Sequence, residues 1–442
     1  MSEEVSRSTA VRSRGPAVRD AAAVRRRDFR LLWGGEAVSG LGTGISGVAI
    51  ALTAVTALHA STFMVALIRA ASWLPWLLIG LPAGVWIDRL QRRRVMLACD
   101  AASLLLLASV PVAAASGVLG VPQLVAVALG VGASSVFFTA AYQAYLPTLV
   151  AKEDLGGANA KLQTTQQVTG VAGPGTGGLI AQAAGAVAGV LADAASFAVS
   201  AACLLRIRTA EPQPTGERSR RDLRAEVAEG VRFVVHDPYL RVLTVAGALD
   251  NLTWTSSAAL YVVYLVRDLH APTGAVGFMT AADSVGGVVG GLLAVRIARR
   301  FGTARGMLLA ALGTAPFTLL IPLAGPGPRL LLFALGLMVA GAGLTVCNVL
   351  SGGFRQAYVP QRILGRVYAS SRVLQFGVIP VAALLGGALG TVLGVREALW
   401  ITLGAGVLLK GVRLLGPVRT HRDLPTAPPA ATVRAAQAAA GA

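Results

Sequence analysis

Twelve apolar runs, each near the ~20 residues a helix needs to cross a bilayer, fill most of this 442-residue sequence, and charge is concentrated between them. That alternation limits the chain to one class of fold, an all-α membrane protein with many spans. The runs cover 31–57, 63–87, 95–115, 121–144, 162–184 and 187–205, then 241–266, 274–295, 306–324, 329–350, 370–393 and 396–415. Only 14% of residues are charged and 55% are hydrophobic, whereas a soluble domain carries roughly 25% charged residues. A soluble enzyme of this composition would lack the polar surface to cover its fold. Cys99, Cys203 and Cys347 all lie in apolar runs, which argues against a disulfide framework or a zinc cluster. The four histidines show no ligand spacing, so no metal and no cofactor is expected.

The net charge of +18 raises the question of nucleic acid, but its distribution gives a different answer. Of 39 Lys and Arg residues, 35 fall in the two ends and in alternate connections: eight before Leu31, four from Arg89 to Arg94, eight from Arg206 to Arg241. The opposite connections hold only Arg267, Arg329 and Arg396, and Arg69 lies inside a run. By the positive-inside rule the basic segments face the cytoplasm, so both termini are expected there and the number of spans is even. The charge reports topology in a lipid bilayer, and no nucleic-acid partner is expected. The excess of arginine over lysine, 36 to 3, fits a GC-rich bacterial genome and hence the bacterial cytoplasmic membrane.

The organisation expected is a disordered basic arm over 1–28, a six-helix bundle over 29–205, a cytoplasmic linker over 206–240, a second six-helix bundle over 241–415 and a disordered tail over 416–442. The arm has no apolar segment of the kind a signal peptide carries. In the linker, Leu223, Val227, Val231 and Val234 fall near helical spacing, which predicts an amphipathic helix on the membrane face. Gln143-Ala144-Tyr145-Leu146-Pro147 recurs as Gln356-Ala357-Tyr358-Val359-Pro360, displaced by 213. The basic turn at Asp88-Arg89 recurs at Arg299-Arg300, displaced by 211. Two six-helix halves in parallel repeat describe a known transporter architecture.

Between the second and third runs stands Gly80-x3-Gly84-x3-Asp88-Arg89-x2-Arg92-Arg93. It resembles the G-x-x-x-D-R-x-G-R-R signature of the major facilitator superfamily, with Gln91 where glycine is usual. The resemblance implies that Gly84, Asp88, Arg89, Arg92 and Arg93 form a charge-and-dipole clamp between helices, in the N-terminal half only, because Arg299 replaces the aspartate in the second copy. Gly173-Pro174-Gly175-Thr176-Gly177-Gly178 is similar to the superfamily's exporter motif, in which Gly173, Pro174, Gly177 and Gly178 would allow close helix approach and a kink. Phe29-Arg30-Leu31-Leu32-Trp33, Asp193-Ala194-Ala195-Ser196-Phe197 and Leu364-Gly365-Arg366-Val367 resemble the enterobactin-exporter and macrolide-efflux branch.

A charge at bilayer depth costs at least ~2.5–3.5 kcal/mol on insertion scales, so each one requires a partner or a function. Asp250 and Asp283 fall nine or ten residues into their runs, near the midplane where transporter sites lie. Buried carboxylates can change protonation near neutral pH, which suits them to proton coupling. Glu36 and Arg69 are further pathway candidates, though depth along their helices rules out a direct pair between them. Asn251 and Trp254 flank Asp250 and would contact substrate. Asp100 and Asp193, near run ends, read as structural caps, and Lys410 as a topology anchor. The expectation is a monomeric, proton-coupled antiporter that exports a small amphipathic molecule of drug, macrolide or siderophore type by alternating access. An importer on the same fold is the alternative, with a membrane sensor or enzyme far behind. No Walker motif is present, so no ATP chemistry is expected.

Overall fold

The computed structural model describes residues 16–427, except Asp88, Lys152, Glu153, Ala210 and 212–222. All regular structure among the described residues is helical, as hydrocarbon demands: a backbone N–H or C=O has no water there and must bond within its own segment. The N-terminal half comprises α1 (Pro16–Leu52), α2 (Thr62–Ile87), α3 (Arg92–Ala115), α4 (Val121–Leu149), α5 (Leu155–Ala184) and α6 (Ala186–Leu205). After α7 (Leu223–His236), the second half comprises α8 (Pro238–Ala258) and α9 (Tyr261–Val263), α10 (Thr273–Phe301), then α11 (Thr303–Thr314) and α12 (Leu320–Leu323). It ends with α13 (Leu330–Tyr358), α14 (Gln361–Phe376), α15 (Ile379–Val392) and α16 (Val395–Leu409).

Nine stretches among the described residues are helices long and apolar enough to cross a membrane. The other three expected runs are helical but fall short for visible reasons. The first half of α5 is rich in Gln and Thr, α8 breaks after Ala258, and α16 gives way to a tighter turn at Lys410.

Both ends depart from the expected arm and tail. Within the described residues, α1 already runs from Pro16, well ahead of Leu31, where alanines and arginines favour helix. Residues 1–15 and 428–442 lie outside the described set. The tail from Pro417 to Leu424 is docked, with Val418 and Leu424 buried against the core of its half. It fastens the turn before α11: the Arg422 carbonyl accepts from Ala304 and Arg305 N–H groups, and Asp423 Oδ1 accepts from Thr303 N–H at 2.9 Å.

That clasp has a counterpart in the first half. Glu211, following α6, accepts from the N–H groups of Arg92 and Arg93 at 2.9 and 3.2 Å, where α3 begins. The segments align as Ile207-Arg208-Thr209 and Val418-Arg419-Thr420, displaced by 211. A second repeat closes the opposite end of the molecule. Thr53–Ala57 and Tyr264–Asp268 are wide π turns, each followed by a Leu-His-Ala in which the histidine, His59 or His270, takes positive φ (48° and 52°). Identical strain, 211 residues apart, is hard to obtain without duplication.

Four apolar clusters among the described residues show how the halves meet; the smallest, Ala66, Ala70, Ala259 and Ala383, bridges them. At the arginine-poor end, one core takes in both halves, from Leu52, Val55 and Ile68 to Leu260, Leu265 and Phe333. At the arginine-rich end there are two. One holds Leu32, Met96, Tyr145 and Leu204; the other holds Tyr239, Met307, Tyr358 and Val418. The halves are therefore joined at one end and separate at the other. Arg267 reinforces the joined end, donating across the halves to the Ala60 carbonyl at 2.6 Å. Helix α7 forms over much of its expected range but packs on protein: Phe233 and Val234 are buried, and Gly230 lies so close to α14 that a Cβ there would stand 2.5 Å from the Arg366 carbonyl.

Candidate transport and clamp sites

Where the halves face each other, Arg69 on α2 and Asp283 on α10 lie within electrostatic reach of one another, with Tyr261 of α9 beside both. Arg69 is exposed to solvent along α2. Asp283 is held against α13 at Gly341, where a Cβ would stand 2.6 Å from its Oδ1. That oxygen and the Tyr261 hydroxyl are both buried without a hydrogen-bond partner. Trp254 packs edge-on to Tyr261, with ring centroids 6.1 Å apart, and Tyr261 packs in turn on Phe333 at 5.3 Å. The expected candidates Arg69, Asp283 and Trp254 thus converge. Tyr261, which sequence reasoning missed, joins them; an unsatisfied hydroxyl leaves no mark on periodicity.

Asp250 belongs elsewhere. It pairs with Arg413, which lies just past α16: Arg413 Nη2 donates to Oδ2, and Nη1 to Oδ1 at 3.4 Å. The side chains of the pair are only 16% and 5% exposed, and Lys410 adds a second positive charge beside Asp250. Asn251 donates to the Gln375 carbonyl on α14 at 2.9 Å. One helical turn, about 5.4 Å, carries the chain from this cluster to Trp254.

A third group fills the interior of the N-terminal bundle. Glu36 on α1 feels the charge of Asp100 on α3, and Tyr142 on α4 feels Glu36. Asp100 is 1% exposed and neither carboxyl oxygen has a hydrogen-bond partner, although Ser200 of α6 faces it. Asp193, by contrast, accepts from Ser196 at 3.1 Å, and Gly42 of α1 leaves the space the pair occupies. Asp193 has the satisfied contacts of a structural group, whereas Asp100 does not.

Of the expected clamp, Asp88 lies outside the described residues, Gly84 falls within α2 and Arg89 is exposed. Arg93 donates to the Leu204 and Leu205 carbonyls at 2.9 and 2.8 Å, satisfying the end of α6, where cations are favoured by the helix dipole. Arg92 lies 3.6 Å from Glu211. Among the described residues, the acid beside Arg92 is Glu211, beyond α6. In the glycine motif, a Cβ on Gly173 would stand 2.7 Å from Gly44 of α1, and one on Gly177 would stand 2.8 Å from the Ile45 carbonyl. Gly178 faces the other half, where a Cβ would stand 2.8 Å from Gly277 of α10. The motif therefore presses one helix against two partners, one of them across the halves.

The family described as transmembrane secretion effector, within the major facilitator group, matches residues 19–425. The multidrug efflux pump Tap of Mycolicibacterium fortuitum is 29% identical over 390 residues, covering 85% of this chain and 91% of its own. The enterobactin exporter EntS of Shigella boydii is 27% identical over 418 residues, covering 91% and 95%. Among solved structures, a mutant of the nucleoside transporter NupG superposes with a TM-score of 0.72 at 12% identity, covering 88% of this chain and 99% of that one. A bacterial homologue of the iron transporter ferroportin, in its inward-facing state, gives 0.66 at 19% identity, covering 88% and 98%. At these identities the structures speak to fold alone.

Proposed function

Because the chain belongs to the transmembrane secretion effectors of the major facilitator superfamily, we propose that this multi-pass transporter is a proton-coupled antiporter exporting a small amphipathic molecule. Twelve spans, cytoplasmic termini, action as a monomer and residence in a bacterial cytoplasmic membrane complete the reading. The observation that carries it is the joined core at one end and the divided cores at the other, with Arg69, Tyr261 and Asp283 meeting between the halves. The positive-inside rule puts the arginine-rich, divided end in the cytoplasm. A site open on that side is in the loading state of an exporter, and rocking the halves about the Gly178–Gly277 contact would expose it outside. The similarity to Tap and EntS supports export of drug-like or siderophore-like cargo.

Arg69, Asp283 and Trp254 would contact the cargo: a carboxylate and a guanidinium that are close but not locked together can each engage a polar end, while the aromatic rings hold an apolar body. Asp250 and Asn251 are read as fasteners of α8, because both already have strong partners. The test is accumulation of ethidium, a macrolide and a catecholate siderophore in cells with and without the protein. Lower accumulation of at least one, lost on adding a protonophore and lost in Asp283→Asn, is expected. Unchanged accumulation of all three would overturn export.

A further inference from the structure

We propose that the coupling proton is carried by the Glu36–Asp100 pair in the core of the N-terminal bundle, apart from the Arg69–Asp283 site where cargo binds. This inference rests on the proton-coupled reading above. Four residues on four helices define the place. Glu36 lies six residues past Arg30, Asp100 six past Arg94 and Ser200 six before Arg206, so all three sit about 9 Å in from the arginine-rich end. Tyr142 joins them from α4.

The groups facing Asp100 are Glu36 from α1, Cys99 on its own helix, the Ser200 hydroxyl from α6 and, through Glu36, the phenol of Tyr142. Among the described residues no cation pairs with either carboxylate. Asp100 is 1% exposed and both its oxygens are unpartnered. An ionised carboxylate left so would lose its hydration with nothing in return, and a second carboxylate nearby makes double ionisation worse. The pair is therefore built to hold a proton. Glu36 is only half-buried and can exchange with water, while Asp100 stands behind it. In the step, a proton on the pair passes from the Glu36 carboxyl to water at the divided end, leaving one negative charge. A proton arriving when the other end opens restores the neutral state.

The same spot in the other bundle is not acidic. Displacement by 213 carries Tyr142 to Arg355, and displacement by 211 carries Asp100 to Ala311. At these two equivalent positions the second half carries no acid.

The test uses the full chain reconstituted in liposomes with ethidium as probe, and two readouts. The first is ethidium transport driven by a pH gradient, set beside equilibrium ethidium binding. Asp100→Asn and Glu36→Gln should each lose gradient-driven transport and retain binding, whereas Asp283→Asn should lose binding. The second is the infrared band of a protonated carboxyl, followed by pH titration without ethidium. It should be present in the native protein and weakened in the Asp100→Asn, Glu36→Gln double variant, in which Asp283 and Asp193 are retained. If native protein transports ethidium and both single variants still do so under a gradient, the pair is not the carrier, though the functional reading stands. If native protein moves no ethidium, the export reading fails for that probe, and the infrared band decides for or against the pair on its own. A band unchanged in the double variant overturns the proposal in either case.

Discussion

In the C-terminal bundle, Asp250 meets Arg413 and Lys410, and its charge is neutralised within the protein; in the N-terminal bundle, Glu36 and Asp100 have, among the described residues, each other, a thiol and two hydroxyls, and no cation. The two halves share local features, among them the acid that clasps the third span of each half and the left-handed histidine that follows the first. What differs is how buried charge is balanced. A paired charge fastens helices and stays put, whereas an unpaired acid depends on a proton. On the proposal above, the repeated plan carries a neutralised charge in one half and a proton-holding pair in the other.

The sharpest way to break this comparison is to unbalance the paired side. Arg413→Met should destabilise the protein in detergent by about 3 kcal/mol, the low end for a broken buried pair, because it removes the cation hydrogen-bonded to Asp250 and leaves only Lys410 beside it. Adding Asp250→Leu should restore most of that loss, as replacing a whole buried pair is often neutral. Asp100→Asn removes no partner and should leave thermal stability unchanged or raised. A large loss in Asp100→Asn would mean that the two halves treat charge alike.

The repeated tyrosines give the next contrast. Tyr358 donates to Asp237 Oδ2 at 2.6 Å, while the Tyr145 hydroxyl is buried without a partner and the Asp28 carboxylate near it bonds to Arg208 and Thr209 instead. Tyr358→Phe should cost about 1.5–3 kcal/mol, the range for a hydrogen bond to a charged group. Tyr145→Phe should cost nothing measurable in urea unfolding, and equal costs would erase the distinction.

Packing at the contact between halves comes third. Gly178→Val places atoms against the backbone of α10 and should cost about 1–3 kcal/mol by overpacking, with loss of ethidium transport. Gly34→Ala, where nothing lies within 4 Å, is the neutral control. The smallest effect belongs to the clasps. Glu211→Ala and Asp423→Ala should each cost about 0.5–2 kcal/mol, as lost helix caps do. The first should cost more, since Glu211 accepts from two N–H groups and faces Arg92, whereas Asp423 accepts from one. A reversed order in thermal melts would show that the linker clasp is the weaker one.

Much of the architecture is legible in the order of residues along the chain. Runs of apolar residues mark where backbone must be helical, and alternate arginines mark which ends lie together. Pathway candidates are legible as residue types out of place: Glu36, Arg69, Asp250 and Asp283 stand out because a charge in an apolar run is costly. Their pairing is not legible. Arg413 sits 163 residues from Asp250, and Arg69 lies 214 residues before Asp283; no local pattern connects either pair. Asp100 reads as a cap because it is near a run end, and only the unpartnered state of its oxygens shows otherwise. The tail reads as disordered for its Ala and Pro content, which hides the Val-Arg-Thr copy that docks it.

By itself, then, the sequence determined the membrane class, the duplicated plan and the residues that carry charge into the bilayer, because hydrophobic transfer and helix length act on local stretches of chain. The tertiary structure alone decided which buried acids meet a cation and which do not, and at which end the apolar cores of the two halves merge. Those outcomes depend on what neighbouring helices bring within a few ångströms, and a buried charge is governed by its neighbours far more than by its place in the chain.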